Sequence, residues 1–295
     1  MLRDKLRGTG VALITPFTAD DKVDFDALGK VIDFVIRNGV DYVVTLGTTG
    51  ETPTLERAEK IDIINYTYER VNGSVPVVVG IGGNNTAEQI HDIESFPLEK
   101  AMAIVSASPY YSKPSQEGLY QHYKALASVA TPKPIILYNV PARTGRNLTA
   151  ETTIRLSNDI DNIAGIKEAS GDMAQCMQIL RDRHQDFLVV SGDDALAMPQ
   201  IACGMDGVIS VAANAFPKQF CEMIRHSLNG EFKLAKGLND QLIAAYDLLF
   251  AENNPAGVKA AMTIMGLIEN NLRLPLVPLS KGLHEQLKKY IDALV

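Results

Sequence analysis

Cysteine is scarce: Cys176, Cys203 and Cys221 are the only three in 295 residues, far apart and outside any C-x-x-C pair. That spacing offers neither a zinc site nor a disulfide framework, and it reads as reduced, buried thiols of a cytoplasmic protein. The five histidines are scattered without H-E-x-x-H or other ligand spacing, so no metal is expected. No apolar stretch approaches the ~20 residues of a membrane span. The charged amino terminus, from Met1 to Gly8, has no apolar run for a signal peptide. A basic excess is missing as well, and the net charge of -7 argues against nucleic-acid binding. An anionic substrate must therefore be drawn in by a local site. Low-complexity segments, internal repeats and linkers are absent.

What is present has the proportions of a soluble globular chain, 46% hydrophobic and 21% charged. Short apolar runs at 10–14, 42–45, 76–80, 101–106, 134–138, 163–167, 187–191 and 207–210 alternate with longer amphipathic segments, such as 26–38, 56–72, 116–130 and 216–228. The runs are rich in Val, Ile and Ala with little polar alternation, as in parallel strands covered on both faces. Thr54 and Thr149, each ahead of an acidic first turn, read as helix caps, and Asn38-Gly39 and Asn72-Gly73 as helix stops. Eight such units predict a TIM (β/α)8 barrel over residues 1–230. A doubly wound open sheet shares this periodicity, but no G-x-G-x-x-G follows the first run. The Gly80-Ile81-Gly82-Gly83 run reads as a strand-to-loop turn. Segments 231–251, 255–268 and 280–293 read as helices around a proline-interrupted loop at 270–278. That is too much helix for a ninth unit, so residues 231–295 are assigned to a small C-terminal helical appendage.

Chemistry in such a barrel sits at the carboxyl ends of the strands. The residues expected there are Gly47-Thr48-Thr49-Gly50-Glu51, Ser108-Pro109-Tyr110-Tyr111, Tyr138-Asn139-Val140-Pro141-Ala142-Arg143-Thr144-Gly145, Lys167-Glu168, Ser191-Gly192-Asp193-Asp194 and Ile209-Ser210. A lone lysine at a strand end is most often solvated or ion-paired. Lys167 differs in following the apolar Ile163-Ala164-Gly165-Ile166, which points its stem into the barrel mouth. A desolvated amine there becomes a nucleophile able to attack a carbonyl. Tyr138 either packs as strand-end aromatics do or passes protons during imine formation. Thr48-Thr49 either caps the following turn or offers hydroxyls and backbone N–H groups to a carboxylate, its flanking glycines allowing close approach. Arg143 is either a surface charge or, held between Pro141 and Gly145, a bidentate carboxylate binder. Asp193-Asp194 lacks a histidine or third acid and reads as a helix cap rather than a metal pair.

Five of these strand-end motifs, in order, resemble the dihydrodipicolinate synthase family, within the N-acetylneuraminate lyase superfamily of pyruvate-dependent class I aldolases. The resemblance runs from about Gly8 to the C-terminal helices. It implies condensation of pyruvate with L-aspartate 4-semialdehyde, the first committed step of lysine and diaminopimelate biosynthesis. Lys167 is then the Schiff-base lysine, Thr48, Tyr138 and Tyr111 the proton relay, and Tyr111 is expected to reach a neighbouring subunit's site. Thr49 matches the pyruvate carboxylate site and Arg143 the binder of the aldehyde's carboxylate, while Gly192 and Ile209 match pocket-lining positions. The covalent imine is the electron sink, so no cofactor is implied, and a homotetramer is. Another pyruvate-dependent enzyme, such as N-acetylneuraminate lyase or a 2-keto-3-deoxy sugar acid aldolase, is the alternative, and the Pro-x-Arg-Thr-Gly run around Arg143 favours the synthase. A non-catalytic binding barrel is disfavoured by the intact set of Lys167, Tyr138 and Thr48. In lysine-inhibited members an allosteric pocket aligns with Thr52, Pro53, Arg57, Lys60, Asn84, Glu88 and Tyr110. Arg57 and Lys60 stand where sensitive enzymes tend to carry histidines, and two cations would repel the ammonium of a bound lysine.

Overall fold

Parallel pairing of short Val- and Ile-rich strands leaves no free edge in this chain. The strands β1 (Gly8–Ala12), β2 (Tyr42–Thr45), β3 (Val77–Gly80), β4 (Ala103–Ala107), β5 (Ile135–Asn139), β6 (Ile163–Glu168), β7 (Leu188–Ser191) and β8 (Gly207–Ser210) close into a barrel in sequence order. The structure, a computed structural model, describes residues 1–294. Each strand is followed by a helix on the outside: α1 (Phe25–Arg37), α2 (Arg57–Val71), α3 (Thr86–Ser95), α4 (Gln116–Ala130), α5 (Ala150–Asp159), α6 (Met173–Asp182), α7 (Ala197–Ala202) and α8 (Pro217–Leu228). The predicted barrel is the observed one.

Strand alternation divides the apolar residues into two cores. Alternate residues such as Ala12, Val44, Val78, Val105, Ile136, Tyr138, Val190 and Ile209 fill the barrel interior, and the intervening ones pack against the helices. Inside, bulk is balanced by glycine: a Cβ on Gly10 would lie 2.2 Å from the ring of Tyr42. Leu6, in the same inner cluster, follows a helical turn at Leu2–Lys5 that precedes β1.

Three local readings change. The first strand begins at Gly8 rather than residue 10, because Gly8 and Thr9 pair with Gly207 and Val208 while Leu13 and Ile14 lie beyond the ladder. Thr54 is not the cap of α2: it lies in a 3-10 turn, and Glu56 is the capping residue, its N–H donating to the Glu59 carboxylate at 2.9 Å. Thr149 does cap α5, accepting from the Thr152 N–H, and Asn38 and Asn72 end α1 and α2. Cys176 and Cys221 are buried, but Cys203, just past the end of α7 and next to Gly204, is exposed.

After α8 come α9 (Phe232–Phe250), α10 (Ala256–Ile264) and α11 (Lys281–Leu294). Helix α10 stops earlier than residue 268 because Gly266 takes a left-handed φ of 74°. The helices pack as a layer beside α8, and Asn254 and Lys259 reach from it into the barrel mouth. Among the described residues no helix is long and apolar enough to cross a membrane.

Candidate active site

Side-chain alternation along β6 decides the centre of the site. Gly165 and Lys167 share the inner face, and Lys167 is paired in register with Tyr138 of β5 on one side and Val190 of β7 on the other. Lys167 is only 7% exposed, and its Nζ stands 4.3 Å from the centroid of the Tyr138 ring. Gly192 is glycine for a reason that can be measured: a Cβ there would lie 2.9 Å from Lys167 Cε and 2.7 Å from Ala169 Cβ. The lysine stem is thus walled by a ring on one strand and a bare backbone on the next.

The ends of β5 and β6 are fixed from behind by a buried polar network. Glu168 is fully buried, and its carboxylate accepts from Asn139 Nδ2 at 3.0 Å, Gln175 Nε2 at 3.0 Å and the Ser170 N–H at 2.6 Å. Each donor satisfies part of a charge that burial would otherwise make costly. Across the mouth, Thr48 and Thr49 lie in a 3-10 turn after β2 that Glu51 closes with a left-handed φ of 54°. Thr48 lines the cavity, and the buried Thr49 Oγ1 accepts from Asn254 Nδ2 at 3.0 Å. Arg143 projects from the short helical turn Pro141–Thr144, which Gly145 ends with a φ of 72°, and its Nη2 donates to Asn253 Oδ1 at 2.9 Å. Lys113 packs against Gly145, and Arg146 donates to the Lys113 carbonyl at 3.0 Å, so three cations gather at one rim of a chain whose net charge is -7.

Lys167, Tyr138, Thr48, Arg143 and Ile209 line one cavity of about 440 Å³, and Thr49 and Gly192 stand behind its wall, outside the lining. The same cavity continues to Thr52, Pro53, Lys60, Asn84, Glu88 and Tyr110. Arg57 does not join them. Its guanidinium is ion-paired with Asp92 and lies 5.0 Å from the centroid of the Phe96 ring, drawn to the carboxylate of α3. Tyr111 is 89% exposed, with a left-handed φ of 72°, and stays outside its own chain's cavity. Asp193 accepts from the Ala195 and Leu196 N–H groups in the turn ahead of α7 and does not cap that helix, whose N-cap position is Leu196. Asp194 instead accepts from the Val211 and Ala212 N–H groups after β8. Burial raises the Asp194 carboxyl to about 6 despite those bonds and one from Ser210.

Sequence reading missed the ion pair beneath the Thr48–Thr49 turn. Lys259 of α10 is fully buried, pairs with Glu51, donates to the Asn271 carbonyl at 2.9 Å and sits 4.2 Å from the centroid of the Phe17 ring. The Arg273 N–H donates to the other oxygen of Glu51 at 3.2 Å. Desolvation lowers the Lys259 amine to about 8, held from falling further by Glu51. A lone lysine in Ala256-Gly257-Val258-Lys259-Ala260-Ala261-Met262 was the available signal.

The chain matches the dihydrodipicolinate synthetase family over residues 5–294. It is a member of that family. A 4-hydroxy-tetrahydrodipicolinate synthase of Parabacteroides distasonis is 48% identical over 289 residues, covering 98% of this chain and 97% of the relative. The crystal structure of the Acinetobacter baumannii dihydrodipicolinate synthase complexed with pyruvate superposes with a TM-score of 0.94 at 39% identity, covering 97% of this chain and 98% of that one. That of the Cyanidioschyzon merolae enzyme with lysine bound gives 0.94 at 34%, covering 98% of each. In this family member the buried ion pair yields a direct expectation. Lys259→Met alone strands the Glu51 charge and costs about 3–5 kcal/mol, whereas Lys259→Met with Glu51→Leu recovers most of that loss in denaturant melts. Equal destabilisation by the single and double variants would contradict the pairing.

Proposed function

We propose that the chain is a 4-hydroxy-tetrahydrodipicolinate synthase, condensing pyruvate with L-aspartate 4-semialdehyde through an imine on Lys167. The observation that carries this reading is the largely buried amine on the barrel's inner face, in a cavity that the Tyr138 ring, Thr48 and the Arg143 guanidinium also line. The names of the relatives favour it over a sugar-acid lyase or aldolase.

In this reading the Lys167 amine attacks the pyruvate carbonyl, and water leaves as the imine forms. Loss of a methyl proton gives the enamine, whose terminal carbon attacks the aldehyde. The amino group of the aldehyde substrate then displaces Lys167 and closes the ring. The protonated imine accepts the electron pair when the methyl proton leaves and again when the amine adds, and the enamine delivers its pair to the aldehyde carbon in between, so the lysine itself supplies what a cofactor would. Tyr138, beside the amine, and Thr48, on the opposite wall, move protons to and from the departing oxygen. Thr49 and its neighbouring backbone hold the pyruvate carboxylate, and Arg143 holds that of the aldehyde bidentately. Gly192 gives the lysine stem its room, and Ile209 closes the floor. Tyr111, turned outward, completes the relay in the site of a second subunit, within a homotetramer in the cytoplasm.

Turnover of pyruvate with aspartate semialdehyde, set beside N-acetylneuraminate and 2-keto-3-deoxygluconate cleavage, tests the assignment. Activity on the first pair alone is expected, and preference for either sugar acid would refute it. Arg143→Ala is expected to raise KM for the semialdehyde by about tenfold or more, the worth of a charge-assisted hydrogen bond. Unchanged turnover would remove Arg143 from its role.

Thr52, Lys60, Asn84, Glu88 and Tyr110 line the outer end of the cavity, and the resemblance is what assigns them to a lysine pocket. Asp92, which lines this end of the cavity beside Glu88, is neutralised by Arg57, so Lys60 is the cation left to oppose a bound lysine's ammonium. Feedback inhibition by L-lysine is therefore expected to be weak. Potent inhibition at sub-millimolar lysine in a steady-state assay would reject this.

A further inference from the structure

Thr49 and Arg143, the two groups assigned to carboxylates, come from different parts of the mouth, the turn after β2 and the turn after β5. One short corner touches both. Asn254 Nδ2 donates to Thr49 Oγ1 at 3.0 Å, and Asn253 Oδ1 accepts from Arg143 Nη2 at 2.9 Å. The corner belongs to the C-terminal appendage, between α9 and α10, and not to the barrel that carries the lysine.

Its shape is closely determined. Asn253 has a left-handed φ of 81°, its Oδ1 also accepts from the Asn254 N–H at 2.9 Å, and Pro255 follows. Asn254 is buried, and Lys259, one turn into α10, pairs with Glu51 at the end of the Thr48–Thr49 turn. The corner is therefore held against the β2 loop at two points, Thr49 and Glu51.

We propose that the Asn253–Asn254 corner is a positioning element that orients both carboxylate binders and so sets which length of aldehyde acid the site accepts. This rests on the assignment of Thr49 and Arg143 made above. A hydroxyl both accepts and donates; with an amide N–H on its lone pair, the Thr49 proton is left for a substrate carboxylate. A guanidinium offers five N–H donors, and holding one on Asn253 leaves an edge free for a two-point contact with a second carboxylate. The reach between the two carboxylates is then fixed by one dipeptide rather than by two independent loops.

Two variants of the full-length enzyme separate this from a merely structural role. Asn254→Asp keeps the shape but replaces the donor by an acceptor, which takes the Thr49 proton; KM for pyruvate is expected to rise on the order of tenfold, with KM for the semialdehyde changing far less. Asn253→Gly keeps the left-handed backbone but removes the acceptor for Arg143. It is expected to raise KM for the semialdehyde several-fold at unchanged pyruvate KM. It is also expected to bring the inhibition constants of 4-oxobutanoate and 5-oxopentanoate closer together, since Arg143 is no longer held at one reach. Should Asn254→Asp fail to fold, Asn253→Gly decides alone. Variants that lower only the melting temperature or kcat, with both KM values and the inhibitor ratio unmoved, overturn the corner's role while wild-type turnover stands. A wild-type enzyme inactive on the pair overturns the proposed function and this inference with it.

Discussion

Closure of the sheet at the β8–β1 seam is the constraint on which the site depends. Gly8 pairs with Gly207 there, and a Cβ on Gly207 would lie 2.0 Å from the Gly8 carbonyl oxygen. Gly207 lets the first and last strands approach, and with no edge left every strand shows one face inward. Lys167 is buried because β6 alternates inside a closed wall; in an open sheet the same residue would meet solvent or a helix. The amine's environment is thus a property of the whole barrel, not of its neighbours in sequence.

Holding charge in that wall requires compensation, and the molecule supplies it in layers. Glu168, next to the lysine, is turned to the outer face, where Asn139, Gln175 and Ser170 satisfy it. Glu51, under the threonine turn, meets Lys259 and the Arg273 backbone. Both carboxylates lie directly behind residues assigned to substrate, so the polar interior serves orientation more than stability; a well-packed apolar pair is often no less stable than a buried ion pair. The mouth itself carries Arg143, Arg146 and Lys113, a local attraction for anions on a chain whose overall field repels them.

The barrel was legible because strand and helix periods differ and eight repeats reinforce one another. Lys167 and Tyr138 were legible because strand alternation predicts inward display, and Thr48 and Arg143 because the turns that follow β2 and β5 open onto the cavity. What escaped is what sequence distance hides. Nothing near Thr49 announces Asn254, 205 residues away, and nothing near Glu51 announces Lys259. The partner of Arg57 was hidden in the same way: the carboxylate of Asp92, across a helix pair and itself in the cavity wall, decides where its guanidinium goes. The boundary errors at Gly8 and Thr54 came from glycine strands and 3-10 turns, which carry no apolar signature.

Lys167 is assigned as the amine that becomes covalently bound to a 2-oxo acid. Incubating the enzyme with pyruvate and borohydride, then weighing the intact protein and its peptides, tests this most directly. One reduced pyruvate adduct per chain is expected, located on the peptide bearing Lys167 and absent when pyruvate is omitted. An unmodified Lys167, or an adduct on another lysine, would contradict it.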